Sequence, residues 1–252
     1  LFSVGTFNII DAPWTDYVEM ANIGAPLWLV ALLTFFAVGI PFFFLFYLGL
    51  KILVKKLKTI GMTAKIVLLV LWLVSVVMLV IFGIRQATER ALDADVVITE
   101  TLPITSNDTL TLRMQNNPLY NEGYYRHGDF ELKYDNEGNR ILYSRDVRLI
   151  VKSTQDSIAS LRIIKNAEGS EYNDARRYAS NINYDFTMEN NVLALDSYLT
   201  SNTQDKYHDQ QVEVTLYLPI GTTLYANKNT YNYHSNDSWR GDILDHGQEE
   251  HY

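Results

Sequence analysis

Five lysines and no acid fall within residues 51–65: Lys51, Lys55, Lys56, Lys58 and Lys65. Such a cluster can hold anionic lipid headgroups, at about 1 kcal/mol per cation near a charged leaflet. It can also fix which side of a membrane a short loop occupies. Inward loops between spans generally carry this charge, so orientation is the simpler role. The other titratable clusters are weaker. His208 stands beside Asp205 and Asp209, and His246 and His251 stand near Asp242, Asp245 and Glu250. None of these, nor His127 or His234, shows a metal-ligand spacing. Their polar, acidic, loop-like surroundings mark them as solvated surface residues. Asp135-Asn-Glu-Gly-Asn begins like a calcium loop but lacks the distal glutamate, and reads as a hairpin turn. Arg240-Gly-Asp is a tripeptide that integrins read, yet any three residues recur by chance. No Gly-x-Ser-x-Gly, phosphate loop or dinucleotide fingerprint occurs. The chain has no cysteine, which excludes thiol catalysis, disulfides and cysteine-based zinc sites. The expectation is a protein that is not an enzyme, with no catalytic residue, cofactor or metal.

The elements that would position the lysines are apolar. Pro26–Leu50 and Ile66–Ile84 contain no charged residue and no histidine. A helix crossing roughly 30 Å of hydrocarbon needs about 20 apolar residues, so both runs are long enough to span. The expected layout is an interfacial segment at 1–25, a first transmembrane helix at 26–50 and the lysine loop at 51–65. A second transmembrane helix follows at 66–84, then a linker and the start of a soluble domain at 85–128, and a β-rich domain at 129–252. Leu50, Leu53, Val54 and Leu57 keep helical spacing among the lysines, so the first helix should run past the bilayer. Trp14 and Tyr17 share one face of a short helix opened by Asp11 and Pro13. With Trp28 they are the expected interfacial anchors. Gly39 and Pro41 mark a kink in the first span, since proline removes a helical hydrogen bond. Neither run holds an ionisable group, which argues against an ion or proton pathway within the pair. The chain opens on Leu1 rather than Met and reads as part of a longer protein.

Charge separates the two halves. Residues 1–84 carry only Asp11, Asp16 and Glu19 against the five lysines, so most of the 29 acids lie beyond. The positive-inside rule places the lysine loop in the cytoplasm and both chain ends on the other side. The acidic remainder disfavours nucleic acid as a partner. From Asp129 the residue pattern alternates with period two, and strands are expected at 130–134, 140–143, 147–152 and 158–165. Further strands are expected at 184–188, 192–195, 211–218 and 223–226. Ser170 should cap a helix over 170–179. Many short strands with regular turns indicate a stacked or sandwich-like all-β fold. Tyr124, Tyr125, Tyr172, Tyr178, Tyr231 and Tyr233 fall near strand ends, where tyrosines make contacts or cover an open stack.

Two spans around a lysine loop, followed by Gly83-Ile-Arg-Gln-Ala-Thr-Glu, resemble the C-terminal part of bacteroidete proteins of the phage shock protein C (PspC) family. Tyr184-Asp-Phe-Thr-Met-Glu-Asn-Asn-Val-Leu-Ala-Leu paired with Val212-Glu-Val-Thr-Leu-Tyr-Leu-Pro-Ile-Gly-Thr-Thr-Leu is similar to the toast-rack β-domains. Those occur in PspC relatives, in LiaF-type envelope-stress proteins and in adhesin-like proteins. The resemblance implies a transmembrane helical hairpin followed by a mainly-β, toast-rack-like extracytoplasmic domain. It further implies a multi-pass protein of the bacterial inner membrane, with its C-terminal domain in the periplasm. Its expected role is a non-enzymatic sensor or regulator of envelope stress, in contact with the bilayer and with other membrane or envelope proteins, including itself. The alternative it leaves open is a membrane-anchored adhesin-like module or an accessory subunit of an envelope complex.

Overall fold

The computed structural model describes residues 26–54, 60–120, 130–235 and 241–244. The chain divides into two compact units, Leu1–Glu89 and Arg90–Tyr252.

Among its described residues the first unit is a pair of helices, α1 (Leu27–Leu53) and α2 (Met62–Thr88). Runs of Leu, Val, Phe and Ala that enter hydrocarbon must satisfy every backbone group internally, and a helix does so. At 1.5 Å per residue each 27-residue helix is about 40 Å long, more than a hydrocarbon core. Both therefore extend beyond their apolar runs. Helix α1 continues through Lys51 to Leu53, in the direction the leucine spacing suggests, and α2 starts ahead of Lys65 and ends after Arg85. Leu33, Ile40 and Ser75 are buried, while the phenylalanines, leucines and valines on the remaining surface are exposed and form the lipid-facing side.

The described residues of the second unit form three sheets. In chain order the elements are β1 (Leu92–Leu102), β2 (Thr109–Gln115), β3 (Phe130–Tyr134), β4 (Arg140–Ser144), β5 (Val147–Thr154) and β6 (Ala159–Gly169). Helix α3 (Tyr172–Ser180) follows, then β7 (Phe186–Glu189), β8 (Val192–Asp196), β9 (Leu199–Asn202), β10 (Gln211–Pro219) and β11 (Thr223–Ala226). The first sheet runs β1-β6-β10-β5, the second β11-β2-β8-β7 and the third β3-β4-β9. Strands β5 and β10 are parallel, as are β11, β2 and β8, whereas the remaining neighbours are antiparallel. Alternate residues of the first two sheets meet in one core: Leu110 and Leu112, Leu149 and Val151, Leu161 and Ile163, Leu193 and Leu195, Val214 and Leu216. Strict alternation makes this possible, because every second side chain faces the same side.

Strand structure starts at Leu92, ahead of the Asp129 boundary that the alternation suggests. Strand β1 pairs with β6 along its whole length, and β2 lies between β11 and β8. The segment 85–128 thus supplies one edge strand and one central strand. The first helical residue of α3 is Tyr172, so the cap position falls on Glu171 rather than Ser170, and no side chain fills it. Strand β6 runs to Gly169 and leaves the helix too little room to begin earlier. A Cβ on Gly169 would stand 2.6 Å from the Ala175 nitrogen, so glycine and alanine bring helix and strand into close contact.

The chain crosses from the first sheet to the second at two adjoining corners, β1 to β2 and β10 to β11. The Thr223 N–H donates to the Asp108 carbonyl (2.9 Å), and the Thr222 hydroxyl donates to the Thr105 carbonyl (3.1 Å). Gly221 has φ +96°, and a Cβ there would lie 2.9 Å from the Ser106 oxygen. This corner requires glycine on both counts.

Candidate functional site

Pro41 lies inside α1 and contributes no N–H, which releases the carbonyl four residues earlier, at Ala37. That carbonyl does not stay open. The Trp72 indole N–H of α2 donates to it at 3.0 Å. An unsatisfied carbonyl costs several kcal/mol in lipid, so this contact locates where the two helices must meet. Ser75, one turn further along α2, is 1% exposed and donates to its own helix at the Leu71 carbonyl. Near the turn between the helices, the Ile60 N–H donates to the Tyr47 hydroxyl (3.2 Å). Gly39 has open space where a Cβ would stand, so no neighbouring group demands glycine there.

Of the lysines expected to set topology, Lys51 and Lys65 sit at the same end of the hairpin. Lys51 occupies the last turn of α1, where a cation complements the helix dipole. Lys65 is in the first turn of α2 and its N–H bonds the Gly61 carbonyl. Lys55, Lys56 and Lys58 lie outside the described residues, as do Trp14 and Tyr17. Trp28 is in the first turn of α1 with 68% of its surface exposed, a position suited to a bilayer interface.

In the β-domain the polar groups gather at the strap between β9 and β10. Asn202 opens it by accepting the Gln204 N–H (2.9 Å), and Lys206 and Asp209 take positive φ values. His208 is 2% exposed, which overturns its expected place on the solvated surface. The strap folds back so that His208 stacks on Tyr178 of α3 at 3.9 Å. Its carbonyl accepts the Glu168 N–H (2.8 Å) and its N–H donates to Gln210 Oε1 (3.0 Å). Burial, reinforced by nearby Arg90, holds the imidazole down at about 4, against the weaker pull of Asp205 and Asp174. His208 is therefore neutral at ordinary pH. Arg90, the first residue of this unit, donates to the Tyr207 carbonyl (3.4 Å) and lies over the Tyr207 ring. The Tyr207 hydroxyl donates to Asp209 (2.8 Å), and its ring stacks on Phe130. The strap thus ties the start of the domain to its third sheet and to α3.

His234 is also buried rather than solvated. It sits 2.9 Å from the Thr230 hydroxyl and bridges to β5 at Leu149. His127, His246 and His251 lie outside the described residues. Among the described residues no three His, Asp or Glu side chains converge as metal ligands. Asp135 closes the β3–β4 turn by accepting the Glu137 and Asn139 N–H groups (2.9 and 2.8 Å), with Gly138 at φ +82°. These hydrogen bonds hold its carboxyl below the usual range. Asp242, the acid of the Arg-Gly-Asp string, accepts the Val151 and Leu244 N–H groups, so it serves the fold.

Of the tyrosines near strand ends, Tyr178 stacks on His208, Tyr231 meets His234 edge-on and Tyr233 packs on the core. Tyr172 is exposed, and Tyr124 and Tyr125 lie outside the described residues. A denser aromatic group, Tyr120, Tyr143 and Tyr198, joins the third sheet to the loop before it, with ring centroids 5.3–5.4 Å apart. Beside that sheet runs a polar groove of about 450 Å³, lined by Asn139, Arg140, Asn183, Ser201, Asn202 and Gln204 among others. Sequence spacing signals neither the strap nor the groove. Trp72 carried a visible signal, because tryptophan usually sits at the ends of a span and here lies near its middle.

A family model described as the PspC transmembrane region matches residues 1–90. A second, described as the toast-rack found in some PspC proteins, matches residues 133–252. No curated protein and no solved structure matches the chain. The paired apolar helices and the three-sheet β-domain are the two parts these models describe. The chain therefore belongs to the PspC family, as a membrane protein that couples a two-span region to a toast-rack domain.

Proposed function

We propose that this protein is a non-enzymatic sensor or regulator of cell-envelope stress in the bacterial inner membrane, acting through protein–protein contacts. The observation that carries this reading is the union, in one chain, of a PspC membrane region with a toast-rack domain. The lysines at 51–65 favour a cytoplasmic turn, which puts the β-domain in the periplasm. Lys51, Lys55, Lys56, Lys58 and Lys65 act as topology signals, Trp14, Tyr17 and Trp28 as interfacial anchors, and Gly39 and Pro41 as the bend in the first span. In cells, removal of residues 90–252 changes transcription of envelope-stress genes under this reading. A second reading, a tethered adhesin-like module or accessory subunit, draws support from the amide-rich groove beside the third sheet. Under it the same deletion alters only attachment or envelope integrity and leaves transcription as it was.

A further inference from the structure

Strand β1 is the outer strand of the first sheet, and among the described residues nothing pairs with its far side. It is eleven residues long, about twice the usual strand, and its pairing with β6 runs unbroken from Leu92–Gly169 to Leu102–Ala159. Exposed edges are normally shortened, bulged, or guarded by proline or charged side chains, lysine above all, because open N–H and C=O groups recruit other strands; the charges on β1 are the acids Asp93, Asp95 and Glu100. Leu-Asp-Ala-Asp-Val-Val-Ile-Thr-Glu-Thr-Leu has no lysine, no proline and no bulge. Its middle, Val96–Thr99, is uncharged and largely β-branched, as strand pairing favours. Val97 is 47% exposed, and Ile98 remains exposed although it lies on the same side of β1 as the buried Ala94 and Leu102.

We propose that β1 is a homodimerisation edge: two copies of this chain pair β1 to β1, antiparallel, about a two-fold axis at Val97. The positions of the acids single out a second copy as the occupant. With the axis at Val97 all eleven residues pair. Asp93 then faces Thr101, Asp95 faces Thr99, Glu100 faces Ala94 and Leu92 faces Leu102. No acid meets an acid, directly or on the diagonal. An axis at Asp95 or Glu100 sets that acid against itself, and an axis at Ala94 sets Asp93 against Asp95. Like charges directly opposite are destabilising. Axes at Val96 or Ile98 pair at most nine residues. Charge thus disfavours the registers centred on Ala94, Asp95 and Glu100, length disfavours those centred on Val96 and Ile98, and the full-length register is free of both penalties. Such pairing closes as a dimer, since a two-fold interface is self-complementary. Anchoring both copies in one membrane raises their effective concentration, which a single strand pair needs. The inference stands on the edge alone and does not depend on a role in stress sensing.

The absence of cysteine makes the test direct, because a single introduced cysteine can crosslink only between molecules. Residues self-paired on the axis have Cα atoms about 4.5–5.5 Å apart, within disulfide reach. In membranes holding the full chain, mild oxidation of Val97→Cys should give a disulfide dimer. Thr101→Cys alone should give none, because its two copies lie roughly 27 Å apart at about 3.4 Å per residue. Mixed with Asp93→Cys it should crosslink. Thr187→Cys, exposed on β7 at the edge of the second sheet, reports random collision. Val97→Lys, at a half-exposed site that folding tolerates, should reduce crosslinking of the Asp93→Cys/Thr101→Cys pair at least tenfold. The proposal is overturned if Val97→Cys crosslinks no faster than Thr187→Cys. It is equally overturned if Thr101→Cys alone crosslinks as readily as Val97→Cys, or if Val97→Cys is captured by a different protein.

Discussion

A neutral imidazole enclosed by the strap gives the β-domain an acid-sensitive point. The folded-state pKa of His208 lies near 4, below the ordinary 6.5, so its stabilising contribution is complete above pH 6.5. As the pH falls from 6.5 towards 4, the unfolded chain takes up a proton that the folded chain refuses. The full difference is worth about 3 kcal/mol at 1.36 kcal/mol per pKa unit. The charged groups facing His208 are Arg90, Arg177, Asp174 and Asp205. Glu168 works in the opposite sense: burial first, then Asp209, raises its carboxyl, so its protonation on acidification favours the folded form and offsets part of the loss. His208→Phe keeps a ring on Tyr178 and removes the titration. Its urea midpoint should change less between pH 7 and pH 4.5 than that of the parent chain, and an equal change would clear His208 as the source. Nothing in Asp205–Gln211 announced this burial, because it follows from positive φ at Lys206 and Asp209, two residues whose side chains do not demand that conformation.

Among the elements, the contact of α1 with α2 is the one whose energetics can be isolated. Trp72→Phe retains the ring and removes the donor to Ala37. It should weaken the hairpin by about 1–2 kcal/mol, the range for interhelical hydrogen bonds in membranes. Pro41→Ala returns an N–H to the Ala37 carbonyl within α1, so in that background Trp72→Phe should cost markedly less. A double-mutant cycle on thermal unfolding in detergent measures the coupling, and additive effects would show that Trp72 does not answer for the missing proline N–H. The two spans, the β3–β4 hairpin and β10 were legible because a single signal dominates each: unbroken apolar length, a turn between alternating runs, and a strand stopped at Pro219. Strands β1 and β2 were less so. In β1 the acids Asp93, Asp95 and Glu100 interrupt the apolar alternation, and only Ala94 and Leu102 are buried. In β2 the alternation Leu110, Leu112, Met114 was present in full but short and far from the other strands. The β7–β8 pairing is legible from the turn between complementary runs, although β7 spans Phe186–Glu189 rather than 184–188 and Glu189 pairs with Val192 instead of lying in the turn.

For the whole molecule the proposed topology makes the β-domain and the loop between the helices answer differently to a reagent that cannot cross the bilayer. Thr187→Cys should react with an impermeant maleimide in intact spheroplasts, whereas Thr59→Cys, in the lysine turn, should react only after lysis. The reverse pattern would place the toast-rack domain in the cytoplasm and remove the case for envelope sensing. The family could be read from the sequence because both halves carry their own pattern. The polar groove could not, since it draws on Asp135, residues 139–141, Asn183 and residues 201–204, which the chain brings together only by folding.

The parallel pairings impose an order of assembly. Among the described residues the one partner strand of β5 in the first sheet is β10, and β2 waits for β8 and β11, whose residues come some eighty and more than a hundred positions later. Contacts so distant along the chain form slowly. A growing chain therefore carries β2 without a partner strand until β8 (Val192–Asp196) arrives, and β5 without one until β10 begins at Gln211. During that interval it offers bare strands to whatever chaperone or protease is at hand, and truncation before Gln211 should leave β5 permanently in that vulnerable state.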